Sequence, residues 1–263
     1  MYAGLKTAFI KTSELLMNLL NQPRAQFSVC PHDTAKNQLG WFTLNTYLQR
    51  KLSVRMHFSP QDDFLKERAH VLSTPHDLVY ANPYSAAVFS RELGFLCVAR
   101  PLNVFDESLI IVRQDFELEH AQRPLKVASA TDKLITNPLG IRALEAIGLS
   151  QDALSLSFVG NHLNAVKAVL DGSASLGIVF NETWAGVSEL SKSSLKVLTQ
   201  SSEKKASHCF MVSPAWAEKR TALQDLLCNM QDDPSGKRIL DDLNFKGFEA
   251  ISSDSSKALE QYL

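Results

Sequence analysis

The chain has 263 residues, 45% hydrophobic and 21% charged, a make-up that allows one large globular domain or two smaller ones. Its 27 Lys and Arg nearly cancel its 28 Asp and Glu, and like charges form no long run, so neither nucleic acid nor an acidic membrane surface is an expected partner. No stretch approaches the roughly 18 apolar residues that a bilayer span requires.

Residues 1–26 read as an amphipathic helix: Leu5, Phe9, Leu16 and Leu20 fall near one face, and Pro23 stops the pattern. Lys6, Lys11 and Glu14 break the apolar run that a secretory signal needs, which makes the chain as written cytoplasmic in expectation. A helix packed on the first lobe, a docking or dimerisation helix, and a misassigned start all remain open readings.

Phe27–Cys30 is a short apolar strand, and Thr34–Leu52 a helix with Trp41, Leu44 and Leu48 at i, i+3 and i+7. Val54–Phe58 alternates as a second strand, a helix follows around Gln61–Glu67, and Asp77–Ala81 is a buried strand that runs into Asn82-Pro83-Tyr84, where another helix begins. Strands alternating with helices imply parallel pairing through right-handed crossovers. Leu109–Arg113 is a further apolar strand; the polar Gln114–Arg123 and Pro124 after it suggest a change of lobe.

The most informative stretch is Leu125 to Glu182, which reads as strand, loop, helix, linker, loop, helix, strand. Leu125–Ala128 is the first strand, and Asn137 and Pro138 make an N-cap and first helical position. Asn161 and His162 open the second helix, and Ser175–Phe180 is the closing strand before Asn181 and Glu182. In open α/β sheets ligands bind beyond the carboxyl ends of the strands, where Thr131 to Asn137, Asn161, His162, Asn181 and Glu182 fall. After a turn at Ser201–Lys205 come a strand at Cys209–Val212, a helix marked by Leu223, Leu226, Leu227 and Met230, and a helix opened by Asp233-Pro234. Cys30, Cys97, Cys209 and Cys228 lie far apart with no C-x-x-C pair, so no metal, redox centre or other cofactor is expected.

This order and spacing, from about Phe27 to Leu263, resembles the phosphate, phosphite and phosphonate substrate-binding proteins of ABC transporters. The resemblance implies an α/β, two-lobed type 2 periplasmic-binding-protein fold with a hinge of two crossings. Lobe 1 would be 27–115 plus 206–263 and lobe 2 would be 116–205. It also implies a non-enzymatic protein that holds a small polar or anionic ligand between two lobes, a periplasmic setting, and an ABC permease or signalling partner. In that family a Ser-Thr-Ser-Gly phrase at a helix start holds the phosphonate oxygens; Leu134-Ile135-Thr136-Asn137 stands here. His162 matches a family histidine, while Leu163 and Asn181 replace family aspartates. In the first lobe His32, Asp33 and Thr34 take the place of a family aromatic, Tyr84 lies in a loop like the family's Gly-Pro-x-Ala-Tyr, and Asp106-Glu107 replaces a tyrosine phrase. The expected ligand contacts are therefore His32, Thr34, Tyr84, Thr136, Asn137, His162 and Asn181, with weak affinity for simple phosphonates. Two alternatives stay open: a degenerate sensing or protein-interaction module, and a cytosolic enzyme using Cys30, His32, Asp33 and His162.

Overall fold

A computed structural model describes residues 24–263 of the protein. The amphipathic helix expected over 1–26 lies outside the described residues, except that Ala25 and Gln26 already belong to the first strand. In chain order come β1 (Ala25–Val29), α1 (Pro31–Leu52), β2 (Met56–Phe58), α2 (Phe64–Ser73), β3 (Leu78–Ala81), α3 (Pro83–Leu93) and β4 (Leu96–Pro101). Next are β5 (Ser108–Arg113), β6 (Leu125–Ser129), α4 (Thr136–Ala146), β7 (Leu154–Phe158), α5 (His162–Leu170), β8 (Leu176–Phe180), α6 (Asn181–Ala185), α7 (Glu189–Lys192) and β9 (Leu195–Gln200). The chain ends with β10 (Cys209–Val212), α8 (Arg220–Cys228), α9 (Pro234–Asp242) and β11 (Phe248–Ala250).

Two compact units result. The first takes the described residues up to Ala81, Glu92–Leu102 and Cys209–Asp254; the second takes Asn82–Arg91, Asn103–His208 and Ser255–Leu263. The expected boundaries differ from this division over 82–91, 103–115, 206–208 and 255–263, all expected in the first lobe and all grouped with the second unit. Ser108–Arg113, assigned with the first lobe from its sequence, pairs antiparallel with β8 and β9 in the second unit's sheet. The C-terminal Ser255–Leu263 also groups with the second unit.

The first unit is built on a six-stranded mixed sheet of order β11-β4-β10-β3-β1-β2. Parallel pairing of β1 with β2 and β3 follows from the helical crossovers, and β10 enters antiparallel between β3 and β4. The spacing of Trp41, Leu44 and Leu48 does what it predicts: all three are buried on the α1 face toward the sheet, a contribution of roughly 1.5–3 kcal/mol for each large side chain. Trp41, Tyr80, Phe210 and Phe248 continue that packing as a chain of ring contacts 4.7–5.3 Å apart. Within α1, Asn37 leaves the helical conformation; its Oδ1 accepts the Gly40 N–H at 2.9 Å and its Nδ2 donates to the Asp242 carbonyl at 2.8 Å, so the helix restarts on a fresh cap.

The second unit has a five-stranded sheet of order β7-β6-β8-β5-β9 with helices on both faces. Ile110, Val112, Leu125, Val127 and Ile178 pack with Ile141 and Leu144 of α4, while Leu109, Ile111, Ala128 and Val179 pack with Ala165 and Val169 of α5. Both faces of the central strands are covered, which is why β5 and β8 read as near-continuous apolar runs, and β6 as one broken only by the exposed Lys126. At Gly140 a Cβ would stand 2.6 Å from Ile178 Cγ2, so glycine lets α4 approach β8 closely.

Candidate functional site

In the second unit β7, β6 and β8 are adjacent and parallel, so their carboxyl ends share one edge of the sheet. Each is followed by a helix that starts at that edge. Beyond β6 the chain enters α4 at Thr136. Beyond β7 the Val159 and Gly160 N–H groups donate to the Ser129 and Ala130 carbonyls at 2.9 Å, and Asn161 caps α5 by accepting the Asn164 N–H at 2.8 Å, leaving His162 as the first helical residue. Beyond β8, Asn181 opens α6. Helix starts carry N–H groups without intrahelical partners and a partial positive charge, a setting suited to oxygen-bearing ligands.

The start of α4 differs from its sequence reading. Ile135, not Asn137, occupies the cap position; it is already helical at φ −59°, ψ −26° and offers no side-chain cap. Its side chain is 2% exposed, so burying it draws the helix start back and places Asn137 inside the first turn. The Thr136 carbonyl accepts the Ser108 hydroxyl at 2.6 Å, and Ser108 stands in register with Phe180 at the end of β8. The His162 ring lies 6.0 Å from the Phe180 ring. These contacts bring Thr136, His162 and the end of β8 to one place. Around it Ser129 Oγ, Thr136 Oγ1 and Asn137 Oδ1 are buried with no hydrogen-bond partner among the described residues.

Asn181 has a structural occupation. Its Nδ2 donates to the Phe105 carbonyl at 3.0 Å and its Oδ1 accepts the Glu107 N–H at 3.2 Å, tying the end of β8 to the segment that enters the unit. The two carboxylates beside it are also engaged. Asp106 Oδ1 lies 3.2 Å from His208 Nδ1, and Glu107 accepts the Lys204 N–H at 2.8 Å and the Ser201 hydroxyl. The entering and leaving segments are thus stapled together inside the second unit, aided by Asp106 N–H to the Ala206 carbonyl at 2.9 Å. Lys133, the basic side chain in the loop before α4, is exposed and pairs with Asp132 at 3.2 Å. Among the described residues, the polar groups gathered at this edge are hydroxyls, an amide, an imidazole and backbone N–H groups.

The other expected contacts lie elsewhere in the chain. In the first unit His32 is exposed on the first turn of α1, whereas Thr34 is buried and its hydroxyl donates to the Pro31 carbonyl at 3.1 Å. Tyr84 is buried in the first turn of α3, a turn capped by Asn82, whose Oδ1 accepts the Ser85 N–H at 2.9 Å. Ser108 and Ser129 escaped the sequence reading. Each sits at the end of an apolar run, the one signal that would have marked it.

Two sheets of this topology, each with helices packed against it, define the two-lobed type 2 periplasmic-binding fold, and solved structures agree. XAC2383 from Xanthomonas citri, bound to ATP, matches with a TM-score of 0.72 at 15% identity over 92% of this chain and 96% of its own. PhnD1 from Prochlorococcus marinus, in complex with methylphosphonate, matches at 0.69 and 16% identity over 90% and 96%. The aliphatic sulphonate binding protein SsuA from Escherichia coli gives 0.60 and 13% over 92% and 83%. A search of curated protein sequences finds no match. The model of the family described as ABC transporter, phosphonate, periplasmic substrate-binding protein matches residues 27–256, and the chain belongs to that family. It is a substrate-binding protein, and the family is one of solute binders. Among the described residues no helix is long and apolar enough to cross a membrane.

Proposed function

We propose that the protein captures a small polar or anionic solute at the carboxyl edge of its second sheet, gripping it through the start of α4 and His162, for delivery to an ABC permease. The observation that carries this reading is the set of buried polar atoms without partners at that edge: Ser129 Oγ, Thr136 Oγ1 and Asn137 Oδ1. Leaving such groups unsatisfied costs about 1–3 kcal/mol each, a cost that a ligand offering both acceptors and donors removes. Leu134 and Ile135 supply no hydroxyl, and Asn181 is spent on the backbone, so the solute is held by hydrogen bonds and helix N–H groups with little help from paired charge.

The test is a thermal-shift screen of small oxyanions, phosphonates, sulfonates and uncharged polar solutes, followed by calorimetry on each hit. The reading expects at least one hit whose affinity falls in Thr136→Val and in His162→Ala. It fails if no solute raises the melting temperature, or if hits bind both variants as they bind the parent.

A further inference from the structure

Among the described residues the outer strand of the second sheet, β7, pairs with β6 on one side only, which leaves its other edge open. Exposed edges template pairing with another chain, and proteins normally blunt them with charge, brevity or cover. The first sheet ends in β2 and β11, each three residues long, and β11 carries Glu249, which pairs with Arg100 at 2.7 Å. The far edge of the second sheet, β9, carries Lys196 and packs against α7. By contrast β7 is five residues long, Leu-Ser-Leu-Ser-Phe, and from Ala153 to Val166 the sequence holds no Lys, Arg, Asp or Glu. Leu156 is 43% exposed and Phe158 51%, with Leu163 on the next helix at 62%. Leu156 stands beside Val127 in register, on the face that α4 covers; that cover reaches Leu154 at the start of the outer strand and leaves Leu156 and Phe158 exposed.

We propose that β7 is an interface between two copies of this chain, paired antiparallel about a two-fold axis at Leu156. The strand is its own complement in that register. Leu156 meets Leu156, Leu154 meets Phe158 on the same face, and Ser155 meets Ser157 on the other. Apolar and aromatic cross-strand pairs and serine pairs all favour antiparallel pairing, and no like charges come together. A second copy also fits the isologous pattern, in which one patch contacts itself. The exposed parts of Leu156, Phe158 and Leu163 leave roughly 300 Å² of apolar surface per copy, below the ~800 Å² per partner of a stable complex, so the dimer is weak and forms at micromolar concentrations or above.

Sedimentation velocity on the full chain, from about 10 μM to about 1 mM, should show a concentration-dependent rise from monomer to dimer. Leu156→Lys places two like charges opposite each other at the axis and should weaken association about tenfold or more, while Leu190→Lys, at an 84% exposed position on α7, should leave it unchanged. In a Cys228→Ser background, mild oxidation of Leu156→Cys should yield a disulfide-linked dimer, because cross-strand partners at the axis lie within disulfide reach, and Leu190→Cys should not. A chain that stays monomeric throughout, one whose dimer tolerates Leu156→Lys, or a Leu156→Cys variant that links no better than Leu190→Cys overturns the proposal.

Discussion

Thr136 carries a buried hydroxyl that no described group satisfies, and this has opposite consequences for the empty and the occupied protein. In Thr136→Val the same shape loses its hydroxyl, so thermal stability without ligand should hold or rise, while affinity for a bound solute should fall by roughly 1–3 kcal/mol. Loss of both together would assign the hydroxyl to folding. His162→Ala should weaken the solute by a similar ~1–3 kcal/mol, read by calorimetry with circular dichroism as the fold control. Methylphosphonate, 2-aminoethylphosphonate, phosphite and phosphate should bind more weakly than about 1 μM, because Leu134 and Ile135 replace hydroxyls; submicromolar binding of any one would refute the reading of that loop.

Glu67 gives a second prediction at this scale. It is fully buried on α2, accepts the Ser28 hydroxyl at 2.7 Å, and burial, only partly offset by that bond and by Arg68, raises its pKa from 4.5 to about 7. Between those values the folded protein holds a proton that the unfolded chain releases, so this group's contribution is complete at low pH and is lost as pH climbs toward 7. Urea unfolding of Glu67→Gln against the parent should show the variant gaining relative stability from pH 5 to pH 8. The gain should approach roughly 3 kcal/mol, since each tenfold change in proton affinity between the folded and unfolded chain is worth about 1.4 kcal/mol. A difference that does not change with pH would contradict this.

Among the elements, α9 shows how local chemistry and packing join. Asp233 caps it by accepting the Ser235 and Gly236 N–H groups at 2.8 and 3.2 Å and pairs with Lys51 of α1 at 2.5 Å. The Lys51 contact, followed by the two backbone bonds, lowers its pKa to about 2. Its stabilising effect is therefore present above the ordinary value of 3.8 and disappears as pH falls through about 2. One turn in, a Cβ at Gly236 would stand 2.2 Å from the Met230 carbonyl oxygen, so Gly236→Ala should force the backbone apart and cost roughly 1–3 kcal/mol by urea unfolding. A variant as stable as the parent would show that the Met230 turn yields freely.

At the scale of the whole molecule, near-neutrality governs how copies meet. With a net charge of −1 at pH 7 and a pI near 6.7, long-range repulsion between copies is slight. Weak self-association should therefore be strongest near pH 6.7 and change little with added salt, since the β7 edge carries no charge to screen. Light scattering across pH and ionic strength checks this; association that collapses in moderate salt would point to a charged surface instead.

Periodicity and punctuation in the sequence determined the elements whose own residues specify them. Trp41, Leu44 and Leu48 could form only one apolar face of α1, Asp233-Pro234 could hardly avoid opening a helix, and the strands at Leu125, Ser175 and Cys209 were plain as apolar runs. The resemblance carried by that order reached the family itself. Tertiary structure decided what a strand cannot state about itself, namely its neighbours. Leu109–Arg113 was legible as a strand, yet its pairing with β8 and β9 depends on residues far along the chain. β7 hid inside a linker because its leucines and phenylalanine alternate toward a face that is largely uncovered. Asn181 and Asn137 had the residue types of ligand contacts; backbone partners of the first and the burial of Ile135 beside the second set what they do. Local patterning fixes elements because it acts through neighbours in sequence, whereas a site is assembled by long-range pairing, and only that pairing determines which polar groups are already satisfied.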